Sequence, residues 1–335
     1  MLRKRTISNF ITATFNVTNI SNPTQILGWN QDNTSVTYDL SQIMSIKIDN
    51  KIITPTTHYQ FDSTGIKTVV YYLKSNFSTM QNMFRNCVTM TTINLQNCNT
   101  TNVTNMRALF HSCTELINII FNDKWKTNNV LDFGYMFYNC INLTSNVLEP
   151  FLVFFNTKKG TTLDSMFNNC QKVQSLRFDK FPNFKIPNVV NMKYVFSNMK
   201  SLISYDYNGK YGSDVFGYKG LKLNDDNGNN LLETTNVQNM EGIFSGCNNN
   251  DFTYLNLKWD YSNLRNCKSM FAGCTNLYAL TMMGNISSNL TSANCEEMFY
   301  NCPQKGNFFY NKDVSIYKSI IVPQLQALNW TCTAQ

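Results

Sequence analysis

The apolar and polar positions of this chain repeat at a nearly fixed spacing between residues 83 and 302. A five-residue phrase, made of two apolar residues, two variable residues and usually a cysteine, occurs eight times at steps of 26, 27, 30, 29, 48, 27 and 28 residues. Self-similarity at such a period is typical of proteins in which one supersecondary unit is repeated and stacked. The copies are MFRNC, LFHSC, MFYNC, MFNNC, VFSNM, IFSGC, MFAGC and MFYNC, beginning at residues 83, 109, 136, 166, 195, 243, 270 and 298.

Each copy of the phrase predicts a helix followed by a strand. In the second copy, Val103, Met106, Phe110 and Cys113 stand at offsets of 0, 3, 7 and 10, which is one stripe of a three-turn helix. An asparagine before this stripe in six copies fits a helix cap, although the same side chain can also satisfy the backbone of a turn. After the cysteine the apolar residues alternate with polar ones, as in residues 93–95, which predicts a short strand with one buried face. Such a unit must stack on its neighbours to bury both apolar faces.

The two ends of the chain lack the phrase. Residues 1–76 contain β-branched and aromatic runs separated by turn residues, which predicts a small β-sandwich. We expect this domain to dock the protein onto a larger assembly and to cover the first repeat, because bare end coils expose core. Residues 306–335 are predicted to cover the other end.

The repeat is similar to that of a known family. The segment TTNVTNMRALFHSCTELINIIF at residues 100–121 resembles the repeat of the BspA-type leucine-rich-repeat proteins, in the branch first noticed in mycoplasma surface lipoproteins, and the similarity covers about residues 77–305. Members of that family are mostly surface or extracellular proteins of bacteria, some protists and phages, and they serve adhesion and recognition. The resemblance therefore implies a binding module and not an enzyme, and a phage-encoded member of the family is one hypothesis.

The element pattern and the resemblance together predict an α+β fold. A β-sandwich (1–76) is expected to precede a leucine-rich-repeat-like helix/strand solenoid of about eight coils (77–305). The solenoid is expected to carry an insertion at about 205–234 and to end in a C-terminal cap (306–335).

Composition indicates a folded protein without a membrane segment. Apolar residues make up 43% and charged residues 15% of the 335 residues, a balance typical of folded chains. The formal charge of +7 is scattered, with its densest cluster at residues 3–5, whereas a nucleic-acid binder concentrates its cations on one stripe. No stretch approaches the roughly 18 apolar residues of a membrane span. We therefore expect neither a nucleic-acid partner nor membrane insertion.

Seven of the eleven cysteines close the phrase, and the sequence predicts that they form a ladder of buried thiols. Disulfides between neighbouring repeats are the first alternative: the Cα atoms are expected about 4.8 Å apart, but parallel Cβ vectors keep the sulfurs from converging. The second alternative is a zinc ion bound by Cys267, Cys274, Cys295 and Cys302. The two cysteines of each repeat are seven residues apart, which is wider than the spacing that structural zinc ligands usually show. The ladder consists of Cys87, Cys113, Cys140, Cys170, Cys247, Cys274 and Cys302.

The sequence predicts no catalytic residue, no metal site and no cofactor. Its two histidines, His58 and His111, have no cysteine partner at a recognisable spacing, and no nucleotide-binding or HExxH motif is present. The segment NDDNGNN at residues 224–230 resembles a calcium loop, but Gly228 comes too early for that pattern. We interpret this segment as a polar turn.

The predicted ligand-binding residues lie in the insertion at about 205–234. Exposed aromatic side chains on loops with many glycines suit contact with a protein or a glycan, and the alternative is a small hairpin that covers its own rings. The candidates are Tyr205, Tyr207, Tyr211, Phe216 and Tyr218.

These observations predict a non-enzymatic structural and recognition protein. Our first hypothesis is a phage virion component (a fibre, tail or capsid-decoration subunit), because a protein released by lysis needs no export signal and none is visible. The N-terminal domain is then expected to contact other virion or surface proteins, and the repeats a host-surface protein or glycan. The alternatives are a bacterial or protist adhesin located at the cell surface or outside the cell and, third, a glycan-active enzyme.

Overall fold

The computed structural model describes residues 9–29, 37–204, 213–214, 217–218, 220–225, 227 and 229–335. Short strands and turns make up most of these residues, and no helix among them is long and apolar enough to cross a bilayer. The strands are β1 (Phe10–Val17), β2 (Thr24–Gln25), β3 (Ile43–Ile48), β4 (Lys51–Ile53), β5 (His58–Tyr59), β6 (Gly65–Leu73), β7 (Met90–Asn94), β8 (Asn118–Ile120), β9 (Leu176–Arg177), β10 (Ser213–Asp214), β11 (Gly217–Tyr218), β12 (Leu221–Lys222), β13 (Tyr254–Leu257), β14 (Ala279–Met282), β15 (Asn307–Tyr310) and β16 (Thr331–Ala334). The α-helices are α1 (Ser145–Leu152) and α2 (Val322–Gln326), with 3₁₀ turns at Leu40–Gln42, Phe178–Lys180 and Ala293–Cys295 and a π-helical turn at Tyr317–Ile321.

One sheet joins the N-terminal strands to the first two repeats. Its order is β4-β3-β6-β1-β7-β8, in which β1 pairs antiparallel with both β6 and β7, and β7 pairs parallel with β8. Alternate residues of β1 are buried, and the buried face of the sheet meets the repeats, since the ring centroids of Tyr71 and Phe84 are 5.5 Å apart. The predicted N-terminal β-sandwich is therefore wrong. The strands pair with a strand of the first repeat and form one sheet with it, instead of closing a domain of their own.

The phrase folds as a series of linked turns and not as the predicted helix. In the first copy (residues 80–87), every second N–H group donates to a carbonyl three residues earlier, and the N–H groups in between donate to carbonyls of the next repeat. Met83, for example, donates to Met80 at 3.1 Å, whereas Phe84 donates to Leu109 at 3.0 Å. An α-helix would instead direct its N–H groups four residues back within its own segment.

Two residues of each copy have a left-handed backbone, which ends any helix at that point. They are the residue before the phrase and the fourth residue of the phrase, and their φ angles lie between 53° and 74°. This conformation costs most residues about 1–2 kcal/mol, but Gly and, less completely, Asn tolerate it. The fourth position meets this demand, since it is Asn in five copies, Gly in two and Ser in one. The apolar spacing that predicted a helix stripe arises here from consecutive turns.

Neighbouring copies lie side by side and bury a continuous row of phenylalanine rings. The ring centroids of successive phrases are 5.5–6.1 Å apart from Phe84 to Phe299. Parallel backbone bridges link the copies one after another, from Thr79 to Asn266. The repeats are thus joined in a row, but the predicted α+β class with a helix/strand solenoid is wrong. Turns take the place of the helices, and the two short α-helices of the described residues lie outside the phrases.

Helix α1 stands where a strand of the third repeat was expected, between β8 and β9. Its side chains bond to the edge of β9 as a neighbouring strand would. Ser145 Oγ accepts from the N–H groups of Gln174 and Ser175 at 2.9 Å, and Glu149 Oε1 accepts from the N–H of Arg177 at 2.9 Å. Because these main-chain donors are satisfied, the row of repeats continues across the interruption.

The insertion rejoins the row through a buried group of charges. Strand β12 pairs parallel with β9. Arg177 donates to Asp179 through Nε at 2.9 Å and Nη2 at 2.6 Å, and Lys222 Nζ lies 3.4 Å from the same carboxylate. These charges link strand β12, within the insertion, to the fourth repeat.

The last strands form a parallel sheet of order β13-β14-β15-β16. Leu255, Leu280 and Phe308 pair across it on the buried face. Residues 306–335 extend this sheet through β15 and β16 and place α2 beside β16. Trp330 packs on Gly306, where a Cβ would approach the indole to 2.6 Å, so glycine permits the close contact.

Candidate recognition surface

Most of the predicted ligand-binding residues lie outside the described residues. This is so for Tyr205, Tyr207, Tyr211 and Phe216. Tyr218 belongs to β11, which pairs antiparallel with β10 as a short hairpin. The prediction of a binding site in the insertion therefore stays a prediction.

The seven cysteines that close the phrase are buried, and six of them donate a hydrogen bond to the neighbouring repeat. Each of these thiols donates to the main-chain carbonyl of the phenylalanine in the preceding copy, at 3.0–3.2 Å. Burial raises the pKa of all seven, so the thiols stay protonated at neutral pH and are poor nucleophiles. The six donors are Cys113, Cys140, Cys170, Cys247, Cys274 and Cys302, and Cys87 is buried in the first copy.

No metal-binding arrangement was found in the part of the chain that the structure describes. Nowhere in those residues do three or more His, Cys, Asp or Glu side chains gather so that they could hold an ion. In the segment that resembles a calcium loop, Asp225 Oδ1 accepts from the N–H groups of Asn227 and Asn229 at 2.9 and 2.7 Å. The carboxylate therefore closes a local turn.

A group of aromatic and cationic side chains lies on the outer side of repeats two to five. We call it the aromatic surface and define it as Arg107, His111, Tyr135, Tyr138 and Tyr194. The His111 ring stacks on that of Tyr138 with centroids 4.6 Å apart, and Tyr135 lies 5.6 Å from Tyr138. The guanidinium carbon of Arg107 is 4.7 Å from the centre of the Tyr135 ring, a cation–π distance. All five side chains are half-buried, so each presents part of its area to solvent.

The repeat brings these side chains together from distant parts of the chain. Tyr135 and Tyr194 directly precede the phrase, in copies three and five, and His111 and Tyr138 are its third residue in copies two and three. Neighbouring copies are joined by backbone hydrogen bonds, which place equivalent positions about 4.8 Å apart along the row. Side chains at equivalent positions therefore form one surface.

Two tyrosines of this surface hold an unfavourable backbone conformation. The φ angles of Tyr135 and Tyr194 are 57° and 55°, in the left-handed region that costs a bulky residue about 1–2 kcal/mol. The equivalent residue of copy six, Gly242, makes room for Tyr194, because a Cβ there would overlap the tyrosine ring. Because this position is left-handed in every copy, the repeat imposes the conformation, and it fixes the direction in which the two rings leave the backbone.

Arg107 is held in place by two carboxylates and a glycine. Its Nη1 lies 3.4 Å from Asp132 Oδ2, and its Nη2 lies 3.8 Å from Asp164 Oδ2. Gly134 leaves the space for the guanidinium, since a Cβ there would come within 2.5 Å of Nη1. Burial raises the pKa of Asp164, while a hydrogen bond from Ser165 and the charge of Arg107 oppose that rise. The guanidinium plane is thereby fixed beside the Tyr135 ring.

A second ion pair supports Tyr194. Its hydroxyl donates to Glu241 Oε1 at 2.7 Å, and Lys193 Nζ lies 3.2 Å from Glu241 Oε2. Burial and the neighbouring Glu241 raise the pKa of Tyr194 to about 12, so the hydroxyl remains a donor at neutral pH. The Lys193 ammonium also lies 5.0 Å from the centre of the Tyr194 ring. This ring is therefore fixed from both sides.

His111 is a neutral ring at physiological pH. Burial and the positive charge of Arg85 lower its pKa to about 3. Its Nδ1 and the Nε of Arg85 are buried and find no hydrogen-bond partner in the described residues. A histidine with this pKa cannot exchange protons as an acid–base catalyst at neutral pH, and it contributes a flat stacking face.

Reading the sequence copy by copy does not reveal this surface. His111 stands at a variable position of the phrase, which is occupied by Arg85, Tyr138 and Asn168 in other copies. The signal is visible only across copies, where aromatic residues stand at the third position of the phrase or directly before it in copies two, three and five, and again at Tyr300 in copy eight.

A polar cavity of about 310 Å³ opens beside α1, on another part of the molecule. Its lining includes Thr144, Ser145, Gln174, Ser175 and Glu149. Glu149 is buried and accepts from Ser175 Oγ at 2.9 Å in addition to the main-chain donor of β9. Its carboxylate thus serves the sheet edge, and the cavity follows from the replacement of a strand by a helix.

Comparison with known proteins finds one family. A profile described as "Mycoplasma protein of unknown function, DUF285" matches residues 78–207 and 216–327, which is more than half of the chain. No curated protein and no solved structure matches.

Proposed function

The chain belongs to the DUF285 family, and we propose that it is a non-enzymatic recognition protein that binds its partner through the aromatic surface. The observation that carries this proposal is the grouping of the His111, Tyr135 and Tyr138 rings, with centroids 4.6–6.1 Å apart, beside the Arg107 guanidinium. Fixed aromatic side chains lose little conformational freedom on binding and supply most of the contact energy of many interfaces.

The chemistry of the surface favours a glycan as the partner. Flat ring faces beside half-buried carboxylates, a guanidinium and a tyrosine hydroxyl suit a ligand that has both apolar faces and many hydroxyl groups. The cations Arg107 and Lys193 already pair with carboxylates of the protein, which leaves little net charge for a strongly ionic ligand. A host-surface protein is the alternative partner, and the binding experiment distinguishes the two.

The groups at this surface support binding and not turnover. His111 is neutral and stacked on Tyr138, and the buried thiols of the phrase are protonated. A glycan-active enzyme needs a pair of carboxylic groups with different protonation states across the bond to be cleaved. Asp132 and Asp164 both lie against Arg107, so both are engaged in holding one cation.

For the setting of this function we propose a phage virion, with a cell-surface adhesin as the alternative. What supports this is the resemblance of the repeat to proteins of adhesion and recognition. Mass spectrometry of purified virions and of fractions of the source cell tests the setting. Detection of the chain in the virion supports the first hypothesis, and detection only in a cell envelope fraction supports the second.

The binding proposal is tested with a glycan array and with intact cells labelled for surface protein or stripped of glycan. We expect the double variant Y135A/Y194A to lose binding by about 30-fold or more, the effect of removing hot-spot side chains. The fold should persist, because copy two has alanine at the same left-handed position, Ala108 with φ 54°.

The matched control is Y278A/Y300A. Tyr278 and Tyr300 are 52% and 69% exposed and lie outside the aromatic surface, so their removal should leave binding unchanged. If both double variants bind like the unmodified protein, the aromatic surface is not the binding site. Binding that survives glycan removal but not mild proteolysis of the cells points to a protein partner.

A further inference from the structure

Two cysteines outside the phrase lie against each other. Cys267 and Cys295 belong to repeats seven and eight, and their Sγ atoms are 2.8 Å apart. This is about 0.8 Å longer than a disulfide bond, and both residues are buried. The parallel packing of neighbouring repeats predicted that sulfurs would not converge, but at this pair they do.

The position is special to these two repeats. It lies three residues before the phrase, and the other copies place larger apolar side chains there, among them Met192 and Met240. Cysteine stands in this slot only in two adjacent copies. Six of the seven thiols that close the phrase are directed at a carbonyl of the preceding copy, as Cys302 is at Phe271. Only this pair brings two sulfurs together among the hydrogen bonds of the described residues.

We propose that Cys267 and Cys295 are a modification site at which a small-molecule disulfide oxidises them to an inter-repeat disulfide. The first thiolate attacks the reagent R–S–S–R and releases R–S⁻, which leaves a mixed disulfide on the protein. The second thiolate attacks the protein-side sulfur of that mixed disulfide and releases the second R–S⁻. Overall, two protein thiols and R–S–S–R give one protein disulfide and two R–SH, so the protein loses two electrons and two protons and the reagent gains them.

The contact also sets the order of the two steps. The hydrogen bond between the thiols lowers the pKa of Cys295 and raises that of Cys267. Cys267 also lies 3.4 Å from the main-chain oxygen of Asn294, an acceptor for its proton. Cys295 is therefore the first nucleophile, and Cys267 resolves the mixed disulfide.

The reagent reaches the pair by opening of the last repeat. Cys295 is fully buried, and Gln324 in the middle of α2 donates to its carbonyl at 3.1 Å. Residues 296 and 297, directly after Cys295, are exposed. The reaction is thus expected to be slow in the native protein and to follow local opening at this end of the row. Once formed, the bond closes a loop of 28 residues and resists that opening.

The test uses the full chain and oxidised glutathione as the reagent. The chain is then unfolded in denaturant, its free thiols are blocked with an alkylating agent, and the intact mass and proteolytic peptides are recorded. We expect nine alkylated cysteines in place of eleven, a Cys267–Cys295 cross-link, and amide exchange in residues 290–302 slowed by about a hundredfold, the order set by closing such a loop.

The matched variants are Cys267→Met and Cys295→Met, because methionine fills the same slot in copy six (Met240). Neither variant should form a cross-link, and the remaining cysteine should stop at the glutathione adduct. The proposal is overturned if the unmodified chain keeps eleven free thiols after incubation with the reagent in urea just below its unfolding transition. A cross-link that joins other cysteines overturns it as well.

Discussion

Replacing Asn198 by alanine tests whether the phrase is a turn or a helix, because the two structures give opposite signs for the change in stability. Asn198 is the fourth residue of the fifth copy, with φ 55° and an exposed side chain. In the left-handed conformation alanine has the full conformational penalty of about 1–2 kcal/mol, whereas asparagine avoids part of it. We therefore expect N198A to lower the free energy of unfolding by about 1 kcal/mol. In a helix the same change would raise stability, by up to about 0.7 kcal/mol.

Two further substitutions in copy eight sharpen this test. Asn301 has φ 57° at the equivalent position, three repeats or about 14 Å away, so N198A/N301A should lose about 2 kcal/mol by addition. Glu297 has φ 55° and is exposed, so Glu297→Gly should gain about 0.5–1 kcal/mol from relieved strain, after the entropy that glycine adds to the unfolded chain. Free energies of unfolding from urea titrations provide the comparison. Stabilisation by N198A together with destabilisation by Glu297→Gly would refute the turn geometry.

Two other predictions concern the row of rings and the buried histidine. Phe167 lies between Phe137 and Phe196 at 5.9 and 6.1 Å, so Phe167→Ala should lower the free energy of unfolding by about 3–5 kcal/mol in urea titrations, and a loss below about 1 kcal/mol would contradict the stacked row. The pKa of His111 in the folded state, about 3, lies below the 6.5 of an ordinary histidine. Between pH 6.5 and 3 the unfolded chain therefore binds a proton that the folded chain does not bind. The free energy of unfolding falls as the pH drops through that window. His111→Asn, which copies Asn168 of repeat four, should remove about 1–2 kcal/mol of the fall between pH 7 and 5, and an unchanged pH dependence would count against the burial of His111.

The position of every repeat was predictable from the sequence, but the conformation of the repeat was not. The buried residues Met80, Met83, Phe84 and Cys87 have offsets of 0, 3, 4 and 7, which an α-helix and a chain of short turns produce equally well. What separates the two is the residue before the closing cysteine, since Asn or Gly in seven of eight copies is a left-handed signal and a poor choice for a helix interior. The spacing of apolar residues indicates which side chains are buried, but it gives no information about the sign of φ.

The N-terminal strands show a second limit. The runs that became β1, β3 and β6 were recognisable from their β-branched and aromatic residues. Their closure into a sandwich was wrong because β1 pairs with β7, whose residues belong to the first repeat. A pairing partner about 80 residues away leaves no trace in the local pattern.

Different positions of the phrase have different structural roles, which explains why a binding surface could arise without disturbing the fold. The two apolar residues and the cysteine face the row of rings and thiols, and the fourth residue is restricted to types that tolerate a left-handed backbone. The third residue and the residue before the phrase vary in type, and they carry the rings of the aromatic surface in copies two, three and five. In copies six and seven these are Gly242, Ser245, Ser269 and Ala272, small side chains that offer little contact. The aromatic surface of copies two to five is therefore a local feature about 14 Å long, three repeat spacings, and its size suits a short stretch of a surface polymer better than the broad flat face of a folded partner.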